Sequence, residues 1–183
     1  MAERVVVDAS IAIALLVDES GSESARSLAR SWRTSASDLL VPSHFWLEVT
    51  NVLIRRRGRT TEESLEGLLV LDELGLVTMQ LDRATLLLAL DPMERRGLTA
   101  YDALYLALAL STNARLATLD LRLGDVGRDM GLLVDPERPT RLAEIPADYT
   151  ADVSADQGWL RSAAVGRQIA ELRRRTLMGS EPT

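Results

Sequence analysis

The first apolar run, Arg4-Val5-Val6-Val7, constrains the fold more than any other feature: it stops at Asp8-Ala9-Ser10 and is followed at once by a second apolar stretch, Ile11 to Val17. The first run is short and β-branched and reads as a strand, whereas the second has the character of a helix. The pattern recurs along the chain. Leu39-Leu40-Val41-Pro42 is a second buried strand stopped by proline, Leu76 to Leu81 a third, Arg115 to Leu119 a fourth closed by Asp120, and Leu132-Leu133-Val134 a last one before Pro136. Helices are expected near Ser22 to Trp32, and over His44 to Arg57 with Ser43 as cap and Gly58 as left-handed terminator. Three more open at Thr60 with the capping-box spacing to Glu63, at Asp82, and at Ala100 in a very apolar segment reaching about Ser111; a last one runs from Leu121 to Met130. Strands too apolar to have a wet face, alternating with helices, predict an α/β fold with a parallel sheet flanked by helices on both sides. Ligands of such sheets gather outside the carboxyl ends of the strands, where Asp8 and Asp120 both stand.

The chain of 183 residues, 46% of them hydrophobic, has the material for one packed core. Residues 1–144 are expected to form that domain. Residues 145–183 read as an acidic linker with Asp148, Asp152 and Asp156, then a helix with Trp159, Leu160, Val165, Ile169 and Leu172 at helical spacing and Arg173-Arg174-Arg175 near its end. Packing of this helix on the domain or on a dimer partner is the expected role. No apolar run approaches the roughly 18 residues that span a bilayer, and Ile11 to Val17 follows an aspartate instead of a basic segment, so the chain reads as unprocessed, soluble and cytoplasmic.

Composition removes several chemistries. There is no cysteine and one histidine, His44, and every one of the 21 basic residues is arginine. Cysteine nucleophiles, lysine Schiff bases, P-loop phosphate binding through lysine and poly-histidine metal sites are all excluded. Carboxylate is what remains. A net charge of −6 does not advertise nucleic-acid binding, but acids that converge on a divalent cation have their local charge cancelled and offer phosphate a positive centre.

Four acids stand in apolar settings. Asp8 ends the valine strand; Glu48 shares a helix face with Asn51 in Phe45-Trp46-Leu47-Glu48-Val49-Thr50-Asn51; Asp102 is the only charge in Ala100 to Leu110; and Asp120 follows Leu116-Ala117-Thr118-Leu119. Each has a plainer reading. Asp8 and Asp120 can be helix caps, Asp102 can complete a capping box with Thr99, and Glu48 can be an ordinary surface acid. Taken together, an all-oxygen set points to Mg²⁺ or Mn²⁺ and to a bound water activated for attack on a phosphodiester. Arg55, Arg56, Arg57 and Arg59 form the densest basic cluster, suited to RNA phosphates or to a solvated helix end. His44 can face the site or serve as a local hydrogen-bonding residue.

At this point the residues resemble the PIN-domain family and, within it, the VapC-like toxins of bacterial toxin–antitoxin pairs. Val6-Val7-Asp8-Ala9-Ser10, Glu48 with Asn51, Tyr101-Asp102-Ala103 and Ala117-Thr118-Leu119-Asp120 look like the family's four motifs, in order, over about residues 4 to 135. The resemblance implies a PIN-like (Rossmann-like) sheet and Mg²⁺- or Mn²⁺-dependent cleavage of RNA, with frequent homodimers and a cognate antitoxin. Carried over by position, Asp8, Glu48, Asp102 and Asp120 are the metal-binding acids, Ser10 and Thr118 supporting hydroxyls, and Asn51 an orienting amide. Asp125, five residues after Asp120, can share or take over the fourth role, and the extension past residue 144 has no counterpart in the pattern.

Two other readings fit less of the sequence. A phosphoaspartate phosphatase wants a second acid where Ser10 stands and a lysine that is missing, and a non-catalytic PIN-like interaction module leaves four acids without a purpose.

Overall fold

The computed structural model describes residues 3–134. The predicted helix between Trp159 and Leu172 and the domain boundary at 144/145 lie outside the described residues. Within them, four parallel strands, β1 (Arg4–Val7), β2 (Asp38–Pro42), β3 (Val77–Met79) and β4 (Arg115–Ala117), form one sheet in the order β3-β2-β1-β4. Val5 pairs with Leu39 on one side and Arg115 on the other, so β1 is central. Successive strand residues point to opposite faces, and Val5, Val6 and Val7 are all buried, as are Leu39, Leu40 and Val41; both faces of the sheet are therefore covered.

The helices are α1 (Ala9–Leu16), α2 (Ser22–Ser35), α3 (Phe45–Asn51), α4 (Thr61–Asp72), α5 (Arg83–Arg96), α6 (Ala100–Thr112) and α7 (Leu121–Asp129). Helix α6 lies against β1, β2 and β4 and packs on α5, while α1 touches α2, α3 and α4. Several starts follow directly from local sequence. Thr60 and Glu63 form the complete capping box, and the carboxylates of Asp82 and Asp120 accept the amides of Thr85 and Leu123 at 2.8 Å each. The turn into α2 uses Gly21 at φ +97°, where a Cβ would also stand 2.8 Å from Leu119 beyond β4.

Four expectations are corrected. Ser43 does not cap the helix after β2: its amide donates to the Met79 carbonyl at 3.0 Å and prolongs the β2–β3 pairing, and the chain enters α3 at His44 without a side-chain cap. The helix from His44 to Arg57 is not uniform, because α3 passes into a π-helical turn at Val52–Arg56, where the Arg57 amide donates to the Val52 carbonyl five residues back at 3.0 Å. Gly58 still ends it with φ +64°. The third strand is only Val77–Met79, on the sheet edge. Among the described residues Leu132-Leu133-Val134 gives a single parallel bridge, Leu116 to Leu133, and the amides of Leu132 and Leu133 both return to the Gly127 carbonyl at the end of α7.

Among the described residues no helix is long and apolar enough to cross a membrane.

Candidate carboxylate site

Asp8 is the anchor. It is the N-cap of α1, its backbone amide still pairs with the Ala117 carbonyl of β4 at 3.0 Å, and its side chain is buried at the carboxyl end of the sheet. A carboxylate there needs donors, and two hydroxyls supply them. Thr118 donates to Oδ2 at 2.8 Å and Ser10 donates to the same oxygen, with the Ser10 amide 3.3 Å away. Both hydroxyls are oriented from behind. The Leu119 amide donates to Ser10 Oγ at 2.9 Å and the Asp120 amide to Thr118 Oγ1 at 3.0 Å, so each oxygen accepts from the β4–α7 turn and keeps its own proton for Asp8. Even so, burial outweighs these bonds and holds the Asp8 carboxyl above the usual carboxylate range, with the charge of Asp102 adding to the rise.

Glu48 reaches the same region from α3. Its carboxylate accepts the Tyr105 hydroxyl at 2.5 Å, across from α6. Burial raises its pKa, the tyrosine bond opposes the rise, and the charges of Asp8 and Asp102 reinforce it. Asp102 sits in the first turn of α6, where its amide donates to the Thr99 hydroxyl at 3.2 Å and its Oδ2 accepts that hydroxyl's proton at 2.7 Å. The box is therefore half of the predicted one: a hydroxyl, not the Thr99 amide, binds the acid. Asp8 thus feels the charge of Asp102, and Glu48 the charges of both Asp8 and Asp102, across three separate elements.

The remaining predicted residues stand apart to different degrees. Asp120 is exposed and caps α7, joined to the Asp8 cluster through its amide on Thr118. Asp125 is exposed one turn further along α7 and pairs with Arg128 at 2.6 Å. Asn51 is exposed at the end of α3, where its side chain makes no capping bond. Two of the four arginines after α3 are engaged locally: Arg57 pairs with Glu19, and Arg59 donates to the Leu16 carbonyl at 2.8 Å.

His44 belongs to this neighbourhood. It is buried, its ring meets Tyr105 edge-on at 4.9 Å and Tyr101 at 5.7 Å, and its Nε2 lies 3.7 Å from Glu48 Oε2. That separation is beyond hydrogen-bond length, and neither ring nitrogen has a partner in bonding geometry. The Tyr101 backbone and the Asp102 charge favour the protonated ring, but burial prevails and lowers its pKa. The sequence reading does not single out Tyr105. The available signal was its place one turn after Asp102 in a helix otherwise built from Ala and Leu, since a buried tyrosine hydroxyl needs a partner.

Among the described residues no three acidic or histidine side chains close into a metal cage. The donor set fits an open site instead: it is all oxygen, mutually repelling and partly buried, and Mg²⁺ commonly takes one or two carboxylates and keeps several waters.

Comparisons with known proteins bear on this arrangement. The fold is similar to that of the Mycobacterium tuberculosis toxin VapC20, described as cleaving the sarcin–ricin loop, with a TM-score of 0.55 and 16% identity over 67% of this chain and 95% of that one. It is also similar to PAE2754 from Pyrobaculum aerophilum, with a TM-score of 0.52 and 26% identity over 68% of this chain and 80% of the other. No curated protein sequence matches. The sequence pattern of the PIN domain, by contrast, matches residues 5–129, from β1 to the end of α7 and through all the acids described above. Because that match takes in well over half of the sequence, the chain belongs to the PIN domain family.

Proposed function

We propose that this protein is a metal-dependent endoribonuclease that hydrolyses RNA phosphodiester bonds, acting in the cytoplasm as the toxin of a type II toxin–antitoxin pair. The observation that carries the reading is the electrostatic meeting of Asp8, Glu48 and Asp102 at the carboxyl end of the sheet. The charge of Asp102 raises the proton affinity of Asp8, and the charges of Asp8 and Asp102 raise that of Glu48, a cost that a divalent cation removes. Membership of the PIN domain family supports the same chemistry.

In this reading Asp8, Glu48 and Asp102 hold Mg²⁺ or Mn²⁺, with Asp120 at the rim as the fourth acid. When bound, the ion supplies an activated water and neutralises charge on the phosphodiester. The chain's own part is to keep its carboxylates ionised and aimed. Ser10 and Thr118 hold the Asp8 carboxylate from one side, which supports their reading as the supporting hydroxyls. A cognate antitoxin that blocks the site and a homodimer complete the proposal.

The test uses the purified full-length chain without a partner. Cleavage of total bacterial RNA is expected with Mg²⁺ or Mn²⁺, to stop with EDTA, and to vanish in Asp8→Asn and Asp102→Asn while both variants stay folded. Cleavage that survives EDTA and both substitutions refutes it. The open, uncaged arrangement of the acids is what a non-catalytic interaction module would also show; that reading expects no cleavage and no cation binding by the folded wild type.

A further inference from the structure

Tyr105 is the largest fully buried side chain among the described residues, and its hydroxyl is not spent on packing. It lies where α6 meets α3. The phenol donates to Glu48 Oε2 on α3. Tyr105 itself stands three residues after Asp102, one turn along the same face of α6. One hydroxyl therefore ties the helix that bears Glu48 to the helix that bears Asp102.

We propose that Tyr105 is a positioning residue that holds the Glu48 carboxylate at the site by bridging α6 to α3. The inference rests on the reading of Glu48 as a site acid. Glu48 is a long side chain, partly exposed, and left alone it samples rotamers that point to water. The charges of Asp8 and Asp102 push it that way. A single bond from a rigid, buried ring opposes both effects. The direction of that bond is fixed, because a carboxylate oxygen accepts and the phenol supplies the proton. Glu48 is left with its second oxygen to offer a cation, the role that outer hydrogen bonds play around ligating groups. His44 packs edge-on against the tyrosine ring and walls this contact off on one side.

Removing the hydroxyl alone tests this. With Mn²⁺ as the probe, binding to the full-length protein is measured by calorimetry for wild type, Tyr105→Phe, Glu48→Gln, the double variant and Asp8→Asn. Tyr105→Phe is expected to weaken Mn²⁺ binding on the order of 10-fold, and the double variant to bind no more weakly than Glu48→Gln alone. Wild-type affinity in Tyr105→Phe, or losses that multiply in the double variant, overturns the inference. Undiminished Mn²⁺ binding by Asp8→Asn instead overturns the reading of the site, so the two failures are distinguishable. If Tyr105→Phe does not fold, the wild-type hydroxyl proton carries the test by nuclear magnetic resonance: it is expected in slow exchange and displaced as Mg²⁺ is added, and a resonance indifferent to Mg²⁺ refutes the bridge.

Discussion

The hydroxyl of Thr118, just past the end of β4, donates to the carboxylate of Asp8, just past the end of β1, across 2.8 Å and 110 positions of sequence. The bond is made where two neighbouring parallel strands release their chains toward helices, so the register of β1 on β4 sets its length.

Thr118→Val keeps the shape of the side chain and removes the donor. Bonds to charged groups contribute about 1.5–3 kcal/mol, so a clear drop in thermal stability at neutral pH is expected. The bond also lowers the Asp8 pKa; without it the pKa rises further, and the acidic limb of the cleavage–pH profile should move toward neutral pH. A profile that keeps its acidic limb in place while stability falls would leave Thr118 a purely structural role.

Asp8→Asn should separate stability from function. The folded-state pKa of Asp8 is raised above its unfolded value, so the folded protein holds this proton more tightly than the unfolded chain. Keeping the group charged therefore opposes folding above that raised pKa, and the penalty fades as pH falls toward the unfolded value. Asn is neutral throughout and can still accept from Ser10 and Thr118. The variant is expected to melt higher than wild type at pH 7 in EDTA, with the advantage shrinking in acid, and to cleave no RNA. A lower melting point at pH 7 would show that the three hydrogen bonds outweigh burial.

Asp82 has the opposite sign. The amide of Thr85 binds its carboxylate and holds its pKa below the usual range. The stability this contributes is present above the unfolded pKa and is lost as pH falls through the depressed folded value. Asp82→Ala should cost about 1 kcal/mol at neutral pH, as loss of an N-cap does, and cost nothing once wild type is itself protonated there. Urea denaturation of both proteins across the acid range checks this.

What was legible in the sequence was local. The Val5-Val6-Val7 run, the caps at Thr60, Asp82 and Asp120 and the turn at Gly58 each depend on a few neighbouring residues, and each occurs as read. Ser43 was misread because its amide answers to β3, an element more than thirty residues away that local sequence does not reveal. The bond from Tyr105 to Glu48 spans 57 positions and is created by the crossing of α3 and α6. Periodicity marks Tyr105 as core; only the packed structure shows which polar group its hydroxyl meets. The amphipathic pattern of α3 likewise runs straight through the π-helical turn, because the bond from the Arg57 amide to the Val52 carbonyl leaves no mark on residue type.

The fourth acid can be decided by substitutions that spare the cap. Asp120 serves α7 with its side chain and the Asp8 cluster with its amide, so Asp120→Ala would confound the two roles. Asn caps a helix about as well as Asp, and Asp120→Asn should therefore keep α7 and the melting point while removing only the charge. Asp125 is exposed and paired with Arg128 through a neighbour contact on one helix, an interaction of a kind worth roughly 0.3–0.5 kcal/mol or less. If Asp120 is the fourth acid, Asp120→Asn lowers cleavage at least 10-fold at saturating Mg²⁺, and Asp125→Asn leaves the rate within about twofold of wild type, an allowance set by the small worth of its ion pair. The reverse order of effects would transfer the role to Asp125 and require α7 to turn when the cation binds.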